Sequence, residues 1–530
     1  MNHRKLNVPQ QVQYLSEWPD LLAIITQNKK CILNKKRTGC GGTTLFLQSG
    51  LPCIIVSPRI NVLLSKHYQP GSKTFLFCSA DSDPVPKKKE KLKSYVDSHW
   101  NNPFGAPIQP PKILVTIDSY KYVAEELNFM GILDQFVVLV DEFQCLMSDA
   151  AFKGNVGLTF LHNLIGVRSV CYLSATPIDE LYLEQMDDFQ DVDVYYNLIW
   201  DPSVLVPTNL LPVPYKKGDS SKSICSQIIA DYKRDGYFKK KVYNDQIVYS
   251  HEVCIFLNDV NAIISIIKAN KLDPNDVNVL CSQSNSRIPI LNQMGVHIGE
   301  LASDPNNPKN RIFTFCTKAT FEGVDFYSDN AYTYIFSDGV LDWNKQDLII
   351  DVPQILGRQR LSSNPFRTDA TLFYRTKMTD QSVQQRQNEI IAKEAATNQW
   401  IDNFNGAPDV IREMLVKELR KRDPKQRFND DYVDVVDDAI NGGYIVKPNY
   451  LVRNIEVRDW QLSEYVYSHP LYLIKALSST GINFSSSYVT NASNTPLQQF
   501  KASFFGANNS DKLQLYCSFV QNHPELYESI

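Results

Sequence analysis

"NKKRTGCGGTT", residues 34–44, lies between the apolar run "CILNK" (31–35) and "TTLFLQSG" (43–50), which can start a helix. A strand, a glycine-rich loop and a helix start in that order put backbone N–H groups and a helix N-terminus around an anion. Loops that bind nucleotide phosphates in this way end in Gly-x-Gly-Lys-Thr. This chain reads Gly39-Cys40-Gly41-Gly42-Thr43, with Gly42 where the lysine belongs. Thr43 or Thr44 can still supply the hydroxyl that holds Mg²⁺. Taken alone, the stretch is equally a plain glycine-rich turn, so the surrounding chain has to decide.

The neighbouring segments form a pattern. "CIIVSP" (53–58), "TFLFCS" (74–79), "ILVTI" (113–117), "FVVLVDE" (136–142) and "SVCYLSAT" (169–176) are nearly continuous apolar runs. Such runs suit parallel strands covered on both faces. A second set follows residue 200: "VCIFLN" (253–258), "VNVLCS" (277–282), "RIFTFCT" (311–317), "YTYIFSD" (332–338) and "TLFYRT" (371–376). Between the sets, "WDPSVLVPTNLLPVPYKKGDSS" (200–221) is rich in proline and polar residues and reads as the inter-domain connection. From about 380 the texture changes to helical spacing, with little strand signal. The expected fold is α/β: two tandem parallel-sheet domains, 1–200 and 201–379, then a mainly helical C-terminal region, 380–530.

A chain of 530 residues exceeds a single hydrophobic core, and its 43% apolar and 21% charged residues are ordinary globular composition. A net charge of -4 excludes a basic nucleic-acid coat while leaving room for a local basic groove. Eleven cysteines without a CxxC pair argue against a zinc ribbon or a disulfide framework and for reduced, buried thiols in a cytoplasmic protein. The eight histidines show no metal-ligand spacing. No apolar run is long enough for a transmembrane helix, and the first residues lack a secretory signal.

Chemistry gathers at the strand ends. "FVVLV" runs into adjacent acids, Asp141 and Glu142. Carboxylates at the C-terminal end of a parallel strand stand where open α/β sheets bind ligands. One acid can hold Mg²⁺ through water and the next can polarise an attacking water. Ser174-Ala175-Thr176 closes another strand before Pro177, and its hydroxyls can hydrogen-bond the acids and couple one domain to the other.

In this order the elements resemble the superfamily 2 helicases and translocases, the DExD/H-type ATPases, over roughly residues 30–376. The Gly loop resembles motif I, "IIVSPRINVLL" motif Ia, "VDEFQ" motif II and "LSATP" motif III; "ILVTIDSY" resembles a strand-contacting motif. In the second domain "VCIFLNDVNAIISIIK" resembles motif IV, "FCTKATFEGVDFYS" motif V and "VPQILGRQRL" motif VI. The resemblance implies two RecA-like domains that close on ATP with Mg²⁺. It also implies a DNA or RNA partner, single-stranded or at a junction, and no membrane. The chain resembles compact helicases of phages and mobile elements, which implies replication or recombination in the cytoplasm (the host's, if phage-encoded). The alternative is a helicase-fold scaffold that binds nucleic acid without hydrolysing ATP.

The same resemblance assigns roles. Arg358 and Arg360 are candidate arginine fingers, with Gln354 as the interdomain sensor. The commonest spacing would put the last arginine at 361, where this chain has leucine, so Arg358 is the firmer assignment. Gly323 and Asp325 would approach the nucleotide sugar or the nucleic-acid backbone. Arg59, Thr116, Ser119, Thr317 and Lys318 would grip nucleic-acid phosphates. The basic runs "PKKKEKLKSY" (86–95) and "KELRKRDPK" (417–425) are either solvated helix faces or further nucleic-acid contacts. For the missing lysine, three explanations stand. In the first, the loop, Thr38 to Thr44, binds ATP through backbone donors while Lys35, Lys36 or Arg37 supplies the charge, with Arg37 favoured by its spacing from Thr43. In the second, the protein binds nucleotide without turnover; in the third, it is a degenerate helicase fold that works as a scaffold.

Overall fold

An unbroken apolar run is satisfied only in a sheet covered on both sides, and the chain builds two. The computed structural model describes residues 1–69, 71–79, 82–100, 109–283, 285–300, 306, 310–321, 324–377, 383–422, 428–484, 500, 504 and 509–522. The chain divides into two compact units. The first is built mainly from Met1–Val206 with Asp380–Gln461, the second from Pro207–Phe321, Asp325–Thr379 and Leu462–Ile530.

In the first unit lie β1 (Asn2–Asn7), β2 (Lys30–Asn34), β3 (Cys53–Ser57), β4 (Phe75–Phe77), β5 (Lys112–Thr116), β6 (Val137–Asp141), β7 (Ser169–Ser174) and β8 (Val194–Ile199). They form an eight-stranded sheet in the order β1-β8-β2-β7-β6-β3-β5-β4, with every neighbouring pair parallel. Alternate residues of each strand enter different cores. Ile32, Val138, Val140 and Tyr172 lie in one, and Cys31, Leu33, Leu139 and Leu173 in the other. This two-sided burial is why β2, β6 and β7 read as continuous apolar runs.

The second unit contains β9 (Asn209–Pro214), the antiparallel hairpin β10 (Lys239–Tyr243) and β11 (Gln246–Ser250), and β12 (Val253–Phe256). It continues with β13 (Val277–Leu280), β14 (His297–Ile298), β15 (Phe313–Cys316), β16 (Tyr332–Asp338) and β17 (Asp369–Arg375). Later in the chain come a second hairpin, β18 (Val433–Asp437) with β19 (Tyr444–Pro448), and the short β20 (Asn483–Phe484). The second large sheet is again eight-stranded and parallel, in the order β14-β13-β15-β12-β16-β17-β9-β20. The fold class expected from the sequence, two parallel-sheet domains with additional helices, is the one observed.

Two expectations change. The stretch read as connection contains β9, despite Pro212 and Pro214. The backbone N–H groups of Asn209 and Tyr215 bond to Thr368 and Tyr374 beside β17. By alternation, the two prolines occupy positions facing away from β17, beyond the short reach of β20, where no N–H is needed. The region after 380, expected as a separate module, is shared between the units. Ile390, Tyr432, Leu451 and Val452 join the core of the first unit. Gly157 allows this contact, because a Cβ there would stand 2.9 Å from Leu451 Cδ1. The β18–β19 hairpin, in a region with little apparent strand signal, turns through Gly442 and Gly443, both at positive φ. In the second unit Tyr467 packs beside Gly339.

Nine of the eleven cysteines are buried thiols, Cys281 is half-buried and Cys517 is exposed. Among the described residues no helix is long and apolar enough to cross a membrane.

Candidate nucleotide site

Parallel β2, β7 and β6 lie side by side, so the Gly loop, Ser174 and the acid pair emerge together at the C-terminal ends of the strands. The Lys35 N–H donates to the Ser174 carbonyl at 2.8 Å, and the Trp200 indole N–H donates to the Lys35 carbonyl at 2.7 Å. Both sides of the Lys35 backbone are thereby fixed. Gly39 and Gly41 take left-handed conformations at φ 62° and 81°, as the tight loop requires. Lys36 and Glu142 do so without being glycine, at φ 56° and 51°, which costs energy and concentrates strain at this loop and at the acid pair.

The side chains meet as follows. Thr43 Oγ1 donates to Asp141 Oδ2 at 2.9 Å. Lys35 Nζ lies 2.9 Å from Glu142 Oε1 and 3.6 Å from Asp141 Oδ1. Gln144 Nε2 donates to Glu142 Oε2 at 2.9 Å. Lys35, Asp141, Glu142 and Gln144 are all buried. Burial pulls the Lys35 ammonium down, but Glu142 and Asp141 more than offset it and hold it above its ordinary value. Burial raises the Asp141 carboxyl, with Lys35 opposing. The lysine is charged, and the cluster is a buried cation among two acids.

Mg²⁺ prefers oxygen ligands and keeps several from water and phosphate. Thr43 Oγ1 and Asp141 Oδ2 fit that demand, adjacent and already oriented by their mutual hydrogen bond. Among the described residues no group of three or more His, Cys, Asp and Glu side chains is placed to hold a metal ion.

The other expected nucleotide residues are placed differently. Arg37 Nη1 donates to the Gln13 carbonyl at 2.9 Å, and its guanidinium lies 5.2 Å from the Trp200 ring centroid. The upstream cation that reaches the acids is Lys35. Cys40 is buried, Thr38 and Thr44 are half-buried, and the loop runs through Gly41 into the helix Gly42–Gln48. Ser174 Oγ accepts the Thr176 N–H at 2.9 Å and Ala175 is buried, so this segment braces the loop laterally. Gln144 and Trp200 were absent from the sequence-derived set. Gln144, the last residue of "VDEFQ", supports Glu142, and Trp200, which no motif marks, supports Lys35.

In the second unit Arg358 is buried. Its Nε donates to the Gln354 carbonyl at 2.9 Å and its Nη2 to Gln354 Oε1 at 2.7 Å. Arg360 Nε donates to Asp325 Oδ1 at 2.7 Å. Phe326 and Gln359 form an isolated parallel bridge, which joins the segments carrying Asp325 and the two arginines. Gly323 lies outside the described residues.

The expected nucleic-acid residues are engaged within the protein. Arg59 forms a forked pair with Asp149, at 2.7 and 3.1 Å. Thr116 Oγ1 donates to Ser119 Oγ at 3.2 Å, both buried. Thr317 Oγ1 donates to the Leu280 carbonyl at 3.2 Å, and Lys318 Nζ lies 3.5 Å from Asp351. The basic run at 86–95 falls in the helix Val85–His99, where Lys87 and Lys91 pair with Asp83 and Lys89 with Glu125. In the run at 417–425, Arg420 pairs with Asp437 and Arg422 with Asp431; residues 423–425 lie outside the described set.

No family model and no curated protein matches the sequence. Among solved structures, the chain is similar to Mss116p bound to ssRNA and AMP-PNP (12% identity, 70% of this chain and 77% of that one, TM-score 0.41). It is similar to the ATP-dependent Type ISP restriction-modification enzyme LlaBIII bound to DNA (14% identity, 79% of this chain and 31% of that one, TM-score 0.43). A third likeness is to the Escherichia coli DEAH/RHA helicase HrpB (12% identity, 69% of this chain and 42% of that one, TM-score 0.37).

Proposed function

We propose that the protein is an ATP-dependent helicase or translocase acting on nucleic acid. The observation that carries this reading is the cluster of Thr43, Asp141, Lys35 and Glu142 at the C-terminal ends of strands in the first sheet. Mg²⁺ there would neutralise charge on the transferring phosphoryl group. Thr43 and Asp141 would hold the ion, and Glu142 would accept a hydrogen bond from the attacking water. Arg358 and Arg360 supply positive charge to phosphate during hydrolysis, with planar donors suited to its oxygens. Gln354, bonded twice to Arg358, sets that arginine's position.

A second reading is a scaffold that binds nucleic acid without turnover. It is favoured by Gly42 and by the engagement of Glu142 with Lys35 and Gln144. Steady-state ATP turnover with and without single-stranded DNA or RNA separates the two. Turnover stimulated by a strand supports the enzyme, and strand displacement then distinguishes unwinding from translocation. No turnover with any strand makes the protein a scaffold.

A further inference from the structure

We infer that Lys35 takes the place of the missing loop lysine: it binds the nucleotide phosphates and exchanges between them and Glu142. This rests on the nucleotide-site reading above and names the residue that makes such a site work.

The observations converge on Lys35 from three directions. First, its ammonium is in the right place. It contacts both acids, and the second oxygen of Asp141 holds Thr43, the hydroxyl residue of the Gly loop. The cation therefore stands one carboxylate away from that hydroxyl. Second, the other upstream cations are elsewhere. Lys36 is exposed, and Arg37 is bound to Gln13 and stacked on Trp200. Third, position 42 is closed to a side chain. A Cβ on Gly42 would stand 2.6 Å from Cδ2 of Leu173, a buried core residue on β7. A lysine stem leaving position 42 would have to displace that leucine.

A buried ion pair contributes little net stability over apolar residues of similar size, so packing alone gives no reason to keep Lys35. A phosphate ligand does. While Lys35 holds Glu142 Oε1, that oxygen is occupied. Moving the ammonium to phosphate frees Oε1 to accept a hydrogen bond from water. Binding and catalytic readiness are then coupled through one side chain.

The test is titration of the full-length protein with a fluorescent non-hydrolysable ATP analogue in Mg²⁺. Lys35→Ala should weaken binding by about 10- to 100-fold, the loss of one charge-assisted hydrogen bond. Because Lys35→Ala leaves buried acids without their cation, the charge-balanced Lys35→Ala/Glu142→Gln variant is measured beside it and should show the same loss. Glu142→Gln alone should bind at least as tightly as wild type, since it releases the lysine. Arg37→Ala should change affinity by less than about threefold, as a stacked surface cation would. Wild-type affinity in the double variant, or a loss confined to Arg37→Ala, overturns the inference while leaving the nucleotide site standing. Failure of the wild type to bind the analogue overturns the site itself.

Discussion

The Thr43 hydroxyl donates to Asp141 Oδ2 at 2.9 Å, bridging the Gly loop and the end of β6. Both groups are oxygen ligands of the kind Mg²⁺ takes. Thr43→Ala should raise the Mg²⁺ concentration needed for half-maximal ATP turnover by about tenfold, the worth of one good ligand contact. Thr43→Ser should stay near wild type. A Mg²⁺ titration of turnover checks both, and an unchanged midpoint in Thr43→Ala removes Thr43 from the ion site.

The contacts of Arg358 with Gln354 and its proposed role in hydrolysis separate experimentally. Its guanidinium is buried and donates twice to Gln354, so Arg358→Ala removes two buried hydrogen bonds and should cost about 2–3 kcal/mol in chemical denaturation. In protein that remains folded, turnover should fall far more than analogue affinity. Equal losses would make Arg358 an ordinary ligand contact. Arg360→Ala should cost less stability, because its pair with Asp325 is only half-buried.

The segment Asp380–Gln461 belongs to the first unit, where Leu451 fills the space that Gly157 leaves. Leu451→Ala should destabilise the protein by about 2–5 kcal/mol, as large-to-small core changes do. Removal of everything after about residue 379 should expose apolar core and give an aggregating fragment. A truncated chain that stays monomeric and melts cooperatively at the wild-type temperature would contradict this.

Gly339 is a fixed close approach in the second unit. A Cβ would stand 2.8 Å from the Arg375 carbonyl and 2.9 Å from Tyr467 Cβ. The carbonyl belongs to backbone at the end of β17 and cannot swing aside. Gly339→Ala should cost about 1–3 kcal/mol by thermal or denaturant unfolding. A neutral result would show that this edge of the sheet yields.

The sequence exposed what two-sided burial writes into it. The central strands were legible because both faces of β2, β6 and β7 are apolar, and their ends marked Asp141, Glu142 and Ser174. β1 was not, because "NHRKLN" is a largely exposed edge strand and carries no apolar pattern. β9 was hidden by two prolines whose tolerance depends on where its neighbours end. The allocation of the C-terminal residues to two units depends on long-range packing that no local pattern records. At the site, spacing favoured Arg37 over Lys35, because spacing does not say which way a side chain leaves the end of a strand. The hydroxyls of Thr116, Ser119 and Thr317 were expected to face a phosphate for the same reason, and each is buried against a protein partner.

Under the proposed function, the Thr43–Asp141–Glu142–Lys35 cluster hydrolyses ATP. The most direct measurement is the initial rate of phosphate release at saturating ATP and Mg²⁺ with single-stranded nucleic acid, for wild type and Asp141→Asn side by side. Wild type should release phosphate measurably, and the variant about 100-fold or more slowly, the scale of losing one electrostatic contact to the transition state. Equal rates in the two proteins, or no release by wild type, would contradict it.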